Sequence, residues 1–175
     1  MKLCRSFSVC FLSVLMLSSC QDATITKEKE ALTPISFEKV TLQDQFWLPR
    51  LKNQKQTLVP FALEKTQPAV ENLRRTAAYL KTGKKEKLLN LARYVASDLF
   101  KVMEGAAYLL TIEKDPELEK QMDEIIDIIA NAQKPDGYLY EWFSAPSKKP
   151  NGWGAGDKPY SFVVHSHELY NMGHM

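Results

Sequence analysis

The feature that most constrains the fold is the apolar stripe that follows Asp115-Pro116. Leu118, Met122, Ile125, Ile126, Ile129 and Ala130 recur at steps of one, three and four residues, which places them on one face of a helix with 3.6 residues per turn. Asp at the cap and Pro at the first helical position are a helix start signal. An apolar face this long must be covered by other elements, and three further stripes supply the cover. Leu51, Leu58, Phe61, Ala62 and Lys65 predict a helix over about 50–66, with Pro60 as a kink or break. Pro68 opens a second, carrying Val70, Leu73, Ala77 and Leu80 and stopping at Gly83. Ser97 is read as the N-cap of a third, with Asp98 in its first turn and Leu99, Val102, Met103, Ala106, Ala107 and Leu110 on its buried face. Lys84 to Val95 suits either helix or packed loop. Phe37 to Trp47 alternates weakly and suits a short strand or extended segment. The expected fold is all-α, a row of helix hairpins of the α/α-toroid or bundle kind. No repeat is strict enough for a tandem array.

The 175 residues are enough for one domain with a real core, and 45% hydrophobic with 25% charged residues is ordinary for a globular chain. The +2 charge comes from the leader, where Lys2 and Arg5 stand without an acid. The rest carries 21 basic and 21 acidic residues. No basic footprint for nucleic acid results. Phe7 to Leu17 is an apolar run of 11 residues, the length of a signal-peptide core and too short to span a bilayer. Leu17-Ser18-Ser19-Cys20 resembles a bacterial lipobox, so residues 1–19 are expected to be a lipoprotein signal peptide and Cys20 the lipidated first residue. Residues 20–36 read as a tether and 37–175 as the domain. The protein is then exported and anchored in a membrane through lipid alone, in the periplasm or at the cell surface. With only Cys20 left after cleavage, no intramolecular disulfide can form.

The candidate chemistry lies in the last third. Gln133-Lys134-Pro135-Asp136-Gly137-Tyr138 is turn chemistry at a helix end. His165, His167 and His174 are the only histidines, and Trp142 and Trp153 lie in the same stretch. Polar groups beside flat aromatic faces suit a sugar, whose ring offers hydroxyls at its edge and C–H groups on its faces. His165-Ser166-His167-Glu168 invites a zinc reading, but the HExxH pattern fails at Asn171. His167, Asn171 and His174 still fall at i, i+4 and i+7, so a metal site, sugar-binding imidazoles and a buried structural histidine are the alternatives. Ser166 is expected to cap the last helix, with His167 in its first turn and Glu168 complementing the dipole.

Three runs together resemble a known family. Ser97 to Tyr108 (SDLFKVMEGAAY), then DPELEKQMDEIIDIIANAQKPDGYL, then SHELYNMGH, occur in the order and spacing of the N-terminal part of glycoside hydrolase family 127, the β-L-arabinofuranosidase-like enzymes. The resemblance covers about residues 37–175. It implies part of an (α/α)6 barrel, truncated here, an oligosaccharide substrate, and His167 lining the sugar subsite; beside it, Tyr138 and Trp142 are expected as substrate-binding aromatic faces. It also implies a cysteine nucleophile on zinc and a glutamate acid/base, neither of which maps onto this chain. No cofactor is therefore expected within these residues, although zinc is expected in the family's complete enzymes. The catalytic carboxylates of glycoside hydrolysis are likewise not identifiable here. The expected function is the N-terminal portion of an exported glycoside hydrolase, without activity by itself. The alternative is a non-catalytic, lipid-anchored helical protein that binds glycans.

Overall fold

The computed structural model describes residues 32–145, 158–161 and 163–175. The expected leader, Cys20, most of the tether and Trp153 lie outside the described residues. No strand occurs among the described residues of the unit Ser36–Met175. The segment expected to be extended begins instead with a single 3-10 turn, Phe37–Lys39, and ends where the first helix starts at Trp47. Asp44 supplies that start: its carboxylate accepts the backbone N–H groups of Phe46 and Trp47, which holds its pKa below the ordinary carboxylate value.

The first two expected helices are one continuous rod. Helix α1 (Trp47–Asn53) runs through a π-helical stretch, Gln54–Leu58, into α2 (Val59–Thr82). The physical reason lies at Pro60. Its ring collides with the carbonyl four residues back in a regular helix, and that carbonyl, on Gln56, lies in the wide turn, where Val59 N–H reaches back to Gln54. The helix widens and does not break. Pro68 sits inside α2 on the exposed side, where the carbonyl it leaves unpaired faces water. It does not open a new helix. Gly83 ends α2 as expected, at φ 73°, with its N–H on Tyr79.

Residues 83–94 are a packed loop. Asn72 on α2 explains why: it is fully buried, donates to the Leu89 carbonyl and accepts the Leu89 N–H. Helix α3 (Val95–Ile112) starts two residues before the expected cap, so Ser97 lies in its first turn with its hydroxyl on the Tyr94 carbonyl. Helix α4 (Pro116–Ala132) starts as expected, with the Asp115 carboxylate accepting Leu118 N–H at 3.1 Å.

Helix α2 packs on both α3 and α4. Leu63, Val70, Leu73 and Leu99 are almost wholly buried between them with Ala106, Met122 and Ile125, each large side chain worth ~1.5–3 kcal/mol of burial. Ile126, expected in the core, is exposed. It lines a groove of about 780 Å³ with Phe100, Met103, Met122 and His174. Short helices α5 (Glu141–Ser144), α6 (Val163–Ser166) and α7 (Glu168–His174) follow, and α7 lies on α3. No helix among the described residues is long and apolar enough to cross a membrane.

Candidate functional site

Two backbone segments build the site. The first is the turn after α4. Gly137 takes φ 87° and donates to the Lys134 carbonyl. The Asp136 carboxylate accepts Tyr138 N–H, and the Gln133 side chain donates to the Gly137 carbonyl. This is the Pro-Asp-Gly turn the residues predict, and it delivers Tyr138 and Tyr140 inward.

The second segment differs from expectation. Ser166 ends α6 and is not the N-cap residue of the last helix, which is His167, although its Oγ accepts the Glu168 N–H at 3.4 Å. His167 stands alone between α6 and α7 in the left-handed conformation, φ 60° and ψ 19°. A residue with a Cβ loses ~1–2 kcal/mol there, so its neighbours must hold it. They do. Tyr140 Oη donates to the Ser166 carbonyl at 2.7 Å. The His167 carbonyl accepts Asn171 N–H at 2.9 Å. Asn171 is itself buried, accepting Ser97 N–H at 3.2 Å and donating to the Arg93 carbonyl at 2.8 Å.

Glu168 has no exposed surface. Its Oε1 accepts Tyr138 Oη at 2.5 Å and Tyr160 N–H at 3.0 Å, and its Oε2 accepts Ser166 Oγ at 2.5 Å. A buried carboxylate is tolerated when its lone pairs are met in this way. Burial, followed by the Glu168 contact, pushes the Tyr138 hydroxyl pKa up, so it stays a donor. The expected dipole role of Glu168 is therefore the lesser one.

Beside this knot runs a line of rings. His167 lies 5.9 Å from Tyr94 and 5.6 Å from Tyr170, and Tyr170 lies 4.7 Å edge-to-face from His174. Lys101 Nζ donates to Tyr170 Oη at 2.9 Å, which lowers the phenol's pKa and raises the ammonium's. Burial, then the Arg93 guanidinium, then His165, lower the His167 pKa. The imidazole is neutral at pH 7, and its Nδ1 is buried without a hydrogen-bond partner.

Tyr138 and Trp142, expected as open aromatic faces, are both only 4% exposed. They pack with Leu88, Tyr140 and Ala145, so neither offers a free ring face for a sugar. The rings of this cluster that do reach the surface are Tyr94, Tyr160 and Tyr170, each about half exposed. Trp142 Nε1 and Ser144 Oγ are buried without partners. Glu141, next to them, is buried too, and burial raises its pKa to about 7 against a partial offset from its own backbone N–H.

Zinc does not fit these residues. Glu168 has its oxygens engaged by three donors, and His167 and His174 each pack on the Tyr170 ring, at 5.6 and 4.7 Å. Among the described residues no three His, Cys, Asp or Glu side chains cluster as a metal would need.

Helix hairpins, with no strand among the described residues, and a polar, aromatic cluster at the start of α3 and α7 fit part of an α/α barrel. Two solved structures bear this out. A GH127 β-arabinofuranosidase superposes with TM-score 0.66 at 33% identity, over 81% of this chain and 22% of that one. A GH127 β-L-arabinofuranosidase from Geobacillus stearothermophilus T6 superposes with TM-score 0.64 at 31% identity, over 77% and 21%. The non-reducing end β-L-arabinofuranosidase of Bifidobacterium longum subsp. longum is 42% identical over 78 residues, 45% of this chain and 11% of that enzyme. The family description "Beta-L-arabinofuranosidase, GH127 catalytic domain" matches residues 39–175. The chain belongs to glycoside hydrolase family 127, and it spans about a fifth of the length of these solved relatives.

Several site residues escaped sequence reasoning. Asn171 stood out as the residue that spoils a zinc motif and as one of the i, i+4, i+7 face with His167 and His174, not as a link to α3, and Tyr140 and Tyr94 had no assigned role. Their partners lie up to 78 positions away, and no local pattern signals such pairings.

Proposed function

We propose that residues 37–175 form one wall of the substrate cleft of an exported glycoside hydrolase that cleaves β-L-arabinofuranosides in oligosaccharides, and that His167 is the residue of this wall that holds the sugar. The observation that carries the reading is the fixed, left-handed His167, whose neutral ring lies between Tyr94 and Tyr170 with an unclaimed Nδ1. A neutral imidazole donates with one nitrogen and accepts with the other, which matches a furanose hydroxyl. The exposed parts of Tyr94 and Tyr170 offer apolar surface for the C–H faces. Tyr138 serves this site through Glu168, and Trp142 serves it by packing. The three cysteines are Cys4, Cys10 and Cys20, so the wall contributes binding and not the nucleophile, and zinc belongs to parts of such an enzyme other than these residues.

The test is His167→Ala in the full-length gene product, assayed with an aryl β-L-arabinofuranoside while zinc content is measured. Losing such a contact costs about 1–3 kcal/mol, or ~5- to 150-fold in kcat/KM, with zinc unchanged. An unchanged kcat/KM makes His167 structural, and lost zinc makes it a ligand. We also propose anchoring through a lipidated Cys20, on the order of charged region, apolar run and Leu-Ser-Ser-Cys. Cys20→Ala then moves the protein out of the membrane fraction, and an unchanged fraction refutes the anchor.

A further inference from the structure

Two non-glycine residues among the described ones have a left-handed backbone, Tyr160 and His167. Both sit against the same side chain. Glu168 accepts the backbone N–H of Tyr160 and follows His167 in the chain. Strained conformations persist where the surroundings over-determine them, and Glu168 is the group common to both. Its two oxygens draw together three pieces: Tyr138 from the turn after α4, Tyr160 from the segment before α6, and Ser166 from the end of α6. Ser166 and Glu168 flank His167, so the carboxylate grips the chain on both sides of the imidazole.

We propose that Glu168 is a positioning residue, whose carboxylate holds His167 in its left-handed conformation and so aims the imidazole between Tyr94 and Tyr170, with the Asp136-Gly137-Tyr138 turn acting on the same point through the Tyr138 hydroxyl. Glu168 does not touch sugar, since it has no exposed surface. The proposal rests on the reading of His167 as the sugar-binding residue for its functional consequence, but not for its structural content.

Glu168→Gln preserves shape while replacing one acceptor oxygen with a donor. An amide oxygen can keep Tyr138 and Tyr160, but the amide N–H₂ then faces Ser166 Oγ. Tyr138→Phe is the second variant, removing one of the three donors without touching Glu168. The readout is the ¹⁵N–¹H spectrum of the histidine rings of the full-length gene product, with the His167 signal assigned by its loss in His167→Ala. His165 and His174 act as internal references, and methyl β-L-arabinofuranoside is the added probe. The expected result is a shifted and broadened His167 ring signal in Glu168→Gln, a smaller change in Tyr138→Phe, and unchanged His165 and His174. Sugar binding weakens about five- to tenfold, the scale of one misaligned hydrogen bond. A residue that merely stabilises the fold changes the melting point and leaves the folded His167 signal where it was. That outcome, in Glu168→Gln or in Tyr138→Phe should the first variant not fold, overturns the proposal. Wild-type His167 signals indifferent to the sugar overturn the sugar reading instead, while the response to Glu168→Gln still decides positioning.

Discussion

Glu141→Gln gives the clearest quantitative test of the electrostatics. Glu141 starts α5 inside a wall of Tyr138, Tyr140 and Trp142 and is 4% exposed. Burial raises its ionisation midpoint from 4.5 to about 7. The folded state therefore binds its proton more tightly than the unfolded chain does. The neutral acid contributes stability that is fully present below pH 4.5 and is lost as pH rises through about 7. Each pH unit between the two midpoints is worth ~1.4 kcal/mol, so the whole interval amounts to ~3 kcal/mol. A glutamine keeps the shape and the bond to the residue's own N–H and carries no charge. Urea denaturation followed by far-ultraviolet circular dichroism at several pH values from 5 to 8 gives both stability curves. Their difference cancels every other titrating group. The variant is expected to gain on the wild type by ~2–3 kcal/mol between pH 5 and pH 8. Parallel curves would falsify the argument, because they would mean that the carboxyl is ionised in the folded state at no cost.

Three other substitutions check the local reasoning. Asn171→Ala removes one of the two acceptors of the Ser97 N–H, which keeps the Tyr94 carbonyl, and the donor to the Arg93 carbonyl, and is expected to cost ~1–3 kcal/mol in urea denaturation; a loss under ~0.5 kcal/mol means water replaces both bonds. Gly83→Ala places a Cβ at φ 73° and is expected to cost ~1 kcal/mol, with no change in circular dichroism if the cap geometry survives. Asp115→Ala removes the cap of α4 at ~1 kcal/mol, and a neutral result would assign the start of that helix to Pro116 alone.

Much of the helical frame was legible in residue spacing. The stripes on α3 and α4 lie where the 3.6 period puts them, and Asp115-Pro116 marks the start of α4 and Gly83 the end of α2 because capping needs only a few neighbouring groups. Pro60 and Pro68 misled, since a proline's local penalty was overridden. A wide turn absorbs one ring and solvent accepts the carbonyl freed by the other. The start of α3 lies three residues before the expected one because the Ser97 hydroxyl bonds back to Tyr94, and a serine offers that bond as readily as a cap. Ile126 was assigned to the core because periodicity reports a face and not what covers it.

The sequence by itself determined the helices, the order in which they occur, the Pro-Asp-Gly turn and the gathering of histidines and aromatics in the last third. These follow from interactions within a few residues of one another. The tertiary structure alone decided which of those groups face a ligand. It buried Tyr138 and Trp142, opened Tyr94 and Tyr170, turned Asn171 onto α3, and brought Tyr138, thirty positions away, to join Tyr160 and Ser166 as donors to Glu168. The left-handed backbone of His167 is the clearest instance. A histidine enters that conformation more readily than most residues with a Cβ but still at a cost, and hydrogen bonds from Tyr138, Tyr140 and Tyr160 hold its two neighbours in place.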